Sequence, residues 1–123
     1  MVDVLLNNVG HPHPRTRFLV AQAMDHFADP RCAAPLRELL GDPVPRVRWA
    51  ALHSLSCEEC KLAPIVTNDN LVELVSALAL GDSSIRVRRA ATYTLGGSCY
   101  DPRAVAALET LLGRQRQLAA GGG

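Results

Sequence analysis

The sequence predicts an all-α fold: a right-handed α-solenoid of about three helical hairpins behind a leading partial repeat. Three observations carry this. Aromatic residues are 4% of the 123 residues and apolar residues 48%, so the core must come from Leu, Val and Ala, which suit closely packed helices. Glycines close leucine-rich stretches at Gly10, Gly41, Gly81 and Gly113, at intervals of 31, 40 and 32 residues. Asp29, Asp69 and Asp101 each stand 12 residues before one of the last three glycines, in constant phase. One helix pair cannot bury its own apolar face, and stacked pairs bury a continuous core between them.

The elements follow in order. Val2 to Val9 reads as a leftover helix, weakened by Asn7 and Asn8. Each repeat then opens with an A helix. These start after His11-Pro12-His13-Pro14, after Asp42-Pro43-Val44-Pro45 and after Asp82-Ser83-Ser84. Thr16, Val20 and Met24 share one helical face, as do Val47, Ala51 and Leu55, and Val87, Ala91 and Leu95. The B helices read as 30–40, 70–80 and 102–112. Asp as N-cap starts each, with Pro at the first helical position in the first and third, and Gly stops them. The domain is expected over 1–117: a partial repeat over 1–10, then repeats over 11–41, 42–81 and 82–113. The second repeat carries an inserted A–B loop, and 118–123 is expected to be a flexible tail. A helices would line the convex side and B helices the concave side.

Asp42-Pro43 with Val47-Arg48, Ala50-Ala51 and Leu55 resembles the HEAT-like repeat, in the short form found in bilin-lyase-type proteins. Asp82 with Val87-Arg88, Ala90-Ala91 and Leu95 matches again. The first repeat departs from the pattern at His11, Thr16 and Met24. The resemblance spans about residues 11–113. It implies a binding surface rather than a reaction centre. It also implies that Asp42, Arg48, Asp82 and Arg88, at Asp-x5-Arg spacing, form a structural ladder between adjacent repeats.

The outward face of the A helices offers the first candidate contact surface. Arg15, Phe18, Gln22 and Asp25 fall on one face, as do Arg46, Trp49, His53 and Ser56, and Arg86, Arg89, Tyr93 and Gly96. Most are polar, yet Phe18, Trp49 and Tyr93 are three of the five aromatic residues in the chain. Large rings on a polar face suit a partner site. They equally suit a cover over the groove between neighbouring A helices. The candidate binding set is therefore Arg15, Phe18, Arg46, Trp49, His53, Arg86, Arg89 and Tyr93. A second set, on the B helices, is Arg31, Arg37, Glu38, Glu73, Arg103 and Glu109. Its mixed charge fits a protein partner in a groove or an ordinary solvated face.

Other chemistries find little support. Net charge is +1 with a single lysine, which disfavours nucleic acid although arginines cluster at the A-helix starts. Cys57-Glu58-Glu59-Cys60 could hold zinc only with further ligands such as His53, Cys32 or Cys99, and the glutamates oppose thiolate formation. These two cysteines are a weak metal candidate, and no cofactor is expected. No His-Glu dipeptide, P-loop or Gly-x-Ser-x-Gly sequence occurs. The expectation is a cytoplasmic, non-catalytic scaffold that binds another protein, with no membrane span. End-to-end self-association is a further possibility, because the chain opens inside a partial repeat. The alternatives are a bilin-lyase-like or other enzyme subunit, and a nucleic-acid-binding module.

Overall fold

The computed structural model describes the backbone of residues 1–27, 29–56, 70–97 and 102–121. Side chains are described for these except at 70, 97, 102–103 and 118–121. Among the described residues every regular element is helical. The helices are α1 (Val2–Asn7), α2 (Pro14–Met24), a 3-10 turn (Pro30–Cys32) leading into α3 (Ala33–Leu39), α4 (Pro45–Ser56), α5 (Asn70–Gly81), α6 (Ile85–Gly97) and α7 (Pro102–Gly121). The chain divides into two compact units, Met1–Leu71 and Val72–Gly123.

In the N-terminal unit α2 packs on α4, α4 on α3 and α1 on α2. Local chemistry sets each start. Pro14 and Pro45 open α2 and α4, where a missing N–H costs nothing. The His13 imidazole Nδ1 caps α2 by accepting from the Arg15 amide at 3.1 Å, and His11 Nδ1 accepts from the His13 amide at 3.0 Å. Asp29 caps the 3-10 turn, accepting from the Arg31 amide at 2.9 Å. At the far end of α1, the Asn8 side-chain amide donates to the Val4 carbonyl at 2.7 Å. That is the local competition with helix expected of asparagine.

The expected core face of the N-terminal unit is buried except at Thr16, which is half-buried at the start of α2. Val20, Met24, Val47, Ala51 and Leu55 are 6% exposed or less. Leu36 and Leu52 complete the interior from α3 and α4. Ser54 is also buried and donates from Oγ to the Ala21 carbonyl, so α4 is tied to α2 by a hydrogen bond as well as by packing.

In the C-terminal unit α6 packs on α7. Val75, Ala79, Val87, Ala91, Leu95, Ala104 and Ala107 are buried. Here the structure departs from the expected helix stop. Helix α7 does not end at Gly113 but runs through it to Gly121, into the stretch expected to fray. Gly113 does not adopt a positive φ. One helical glycine costs only about 1 kcal/mol, and the flanking Leu, Arg, Gln and Ala residues all favour helix.

Candidate functional site

The A-helix face is a built surface in the N-terminal unit. Arg46 of α4 lays its guanidinium over the Phe18 ring of α2, with the central carbon 4.6 Å from the ring centroid. One turn on, Trp49 stacks on His53 with centroids 5.6 Å apart and planes 11° from parallel. His53 Nε2 then lies 3.3 Å from the Asp25 carboxylate of α2. The 3- and 4-residue spacing that put these groups on one face also lets α2 and α4 meet there. A cation over a ring and two stacked rings hold these side chains in one arrangement.

One expectation changes. Asp25 counts as outward by spacing, yet it is 5% exposed, because α4 covers that edge of α2. Phe18 and Trp49 are half-buried, as rings covering a groove between neighbouring A helices would be. Arg15 and Arg46 remain exposed, and His53 keeps 46% of its side chain accessible. In the C-terminal unit Arg86, Arg89 and Tyr93 of α6 are exposed, and Tyr93 retains 86% of its surface.

Of the four residues assigned to a ladder between adjacent repeats, Asp42 of the second repeat is paired with Arg17 of the first: Arg17 donates from Nε and Nη2 to the carboxylate at 2.7 and 3.2 Å. The same carboxylate accepts the Val44 amide at 2.9 Å. Burial at both ends, 14% and 5% exposed, makes this a bidentate pair shielded from solvent. The hydrogen bond to Asp42 raises the Arg17 pKa above its ordinary value. Arg48 and Arg88 donate from Nη1 to the carbonyls of Asp42 and Asp82, at 2.8 and 2.7 Å. Arg17 makes the matching bond to the His11 carbonyl at 2.9 Å. Thus each A helix ties one arginine to the residue six positions back. Arg17 is the functional residue that the spacing rule passed over. Its register with Arg48 and Arg88 was visible, but His11 hid it, although the contact uses only a carbonyl.

Arg31 is held by Asp29 at 2.8 Å and by Asp3 of α1 at 2.9 Å. Those hydrogen bonds push the Arg31 pKa up and the Asp29 pKa down. Glu38 is exposed and borders an open cleft of about 360 Å³, lined also by Leu6, Val9 and the Arg17–Asp42 pair. Arg37 is half-buried, and its Nε finds no hydrogen-bond partner among the described residues. Glu73 and Glu109 are exposed in the C-terminal unit. The Arg103 side chain and Cys57, Cys60 and Cys99 lie outside the described residues. Cys32 is a buried free thiol. Among the described residues no three His, Cys, Asp or Glu side chains come together as metal ligands, and no helix is long and apolar enough to cross a membrane.

No curated protein matches the chain. A family model described as HEAT repeats matches residues 2–61, a stretch that takes in α1 to α4 and the Arg17–Asp42 rung. Over that stretch the chain is similar to the HEAT repeat family.

Proposed function

We propose that the protein is a non-catalytic protein–protein interaction module, acting as a scaffold. Its first contact surface is the A-helix face of the N-terminal unit, centred on Trp49. HEAT repeats generally mediate protein–protein interaction, which supports this class. The observation that carries the choice of surface is the preformed array of Arg46 over Phe18 and Trp49 on His53, backed by Asp25. Rings and guanidinium already held in place lose little side-chain freedom on binding. Aromatic and Arg side chains are also the groups that most often dominate interface energy. The exposed Tyr93 with Arg86 and Arg89 supplies a comparable patch on the C-terminal unit.

The test is affinity capture from native lysate with mass spectrometry. Wild type is compared with Arg46→Ala/Trp49→Ala and, separately, with Tyr93→Ala, each after a native helical melt has been recorded. A protein held by wild type and reduced at least about tenfold in the double variant is the expected result. Equal capture by the double variant refutes the Trp49 face. Capture of nucleic acid with steep salt dependence replaces the reading altogether.

A further inference from the structure

One guanidinium in the N-terminal unit does two things. Arg17 Nη1 donates to the His11 carbonyl, which aims the side chain. The remaining fork, Nε and Nη2, then receives the Asp42 carboxylate. In the C-terminal unit Arg88 stands at the same register position and is aimed the same way, Nη1 to the Asp82 carbonyl at 2.7 Å. Its fork, however, meets no carboxylate among the described residues.

The sequence explains the difference. Asp42 follows Gly41 and Asp82 follows Gly81; after Gly113, at the next equivalent position, stands Arg114. A cation replaces the anion that would have met Arg88. Arg114 cannot accept, and it donates from Nη1 to the Leu80 carbonyl at 2.8 Å. Both guanidinium groups therefore hang from carbonyls only two residues apart, a separation of at most about 7 Å along the chain. Arginine stays charged throughout the working pH range, and residues 110–123 contain no Asp or Glu to neutralise the pair.

We propose that Arg88 and Arg114 form a binding site for a carboxylate of a partner protein. The acid it fits is an aspartate at the start of a helix, presented as Asp42 is presented to Arg17. Two observations select this ligand. The Arg17 fork holds a carboxylate by both oxygens. That carboxylate also caps its own helix start through the Val44 amide, so the aspartate arrives already oriented. Arg86, Arg89 and Tyr93 are unchanged in every variant below.

The experiment follows the Arg88 Nε–Hε resonance of the full-length, ¹⁵N-labelled protein. The probe is the acetylated and amidated peptide Leu39–Pro45, which carries Asp42 as its sole acid. A saturable shift is expected. It should weaken at least about fivefold with the Asp42→Asn peptide and with Arg114→Gln protein, a discount for the exposure of Arg114 being included. Arg114→Asp leaves the Arg88 grip on Asp82 in place and sets a competing carboxylate beside the fork, so peptide binding should be lost. This variant keeps the test decisive should Arg88→Gln fail to fold. No saturation up to about 10 mM peptide, an equal shift with the Asp42→Asn peptide, or full binding by Arg114→Asp overturns the proposal. Tighter binding of inorganic phosphate than of the peptide also overturns it, in favour of a phosphorylated partner.

Discussion

Met24 is the position at which the repeat register can be weighed. It takes the place that Leu55 and Leu95 occupy in the later A helices, and all three are buried, at 0%, 4% and 1% exposure. Replacing Met24 by Ala removes three heavy atoms from a site with no access to solvent. The loss combines transfer free energy with the cavity left behind, about 2–5 kcal/mol. A domain of this size has about 5–15 kcal/mol in all, so the variant forfeits a large share. For a unit the size of Met1–Leu71, each kcal/mol moves the midpoint about 4–8 °C. A fall in Tm of about 8–40 °C is therefore expected. Met24→Leu keeps the volume and should cost under about 1.5 kcal/mol. Leu19→Ala, five residues earlier on the half-exposed side of the same helix, should cost under about 1 kcal/mol. Urea titration followed by circular dichroism at constant m-value measures all three. Equal losses from Met24→Ala and Leu19→Ala would refute the register.

Gly113→Ala should raise stability by about 0.4–1 kcal/mol, read as a higher urea midpoint. The glycine lies inside α7 with nothing within 4 Å of an added Cβ; a loss instead would place a helix stop there. Asp29 should titrate below the ordinary carboxylate range, because Arg31 hydrogen-bonds its ionised form. A depressed folded-state pKa means that the stabilising contribution is complete above about 3.8. It fades as pH falls from there through the folded-state value. Carboxyl-carbon NMR should show that low midpoint in wild type and its return to the ordinary range in Arg31→Gln. An unmoved midpoint would rule the pairing out.

The helical pairs and their buried stripe are written openly in the chain. Apolar residues four apart mark the inward face, and Pro14, Pro45 and Asp29 mark the starts, because these are local preferences needing no knowledge of neighbours. What escapes is decided between helices. Spacing puts Asp25 on the outer side of α2, but only the approach of α4 buries it against His53. Phe18 and Trp49 are legible as rings on a polar face, whereas the partners Arg46 and His53 follow from packing. The Arg17–Asp42 rung spans 25 residues of sequence, and Arg17 lies outside the Asp-x5-Arg pattern because His11 stands where the later repeats have Asp. Gly113 misleads for another reason: glycine is permissive, and it stops a helix only where the backbone turns left-handed.

The bond from each A-helix arginine to the carbonyl six residues back has an evolutionary corollary. Every amino acid carries that carbonyl, so the local tie tolerates any residue there, as His11 in place of Asp demonstrates. The rung to the previous repeat does not, since it needs a carboxylate. A single substitution at this position can thus uncouple two neighbours while each keeps its own turn. Repeats of this kind can drift, be lengthened or be recombined while each keeps its own helix start, and Asp42 is the group whose loss would untie the first joint.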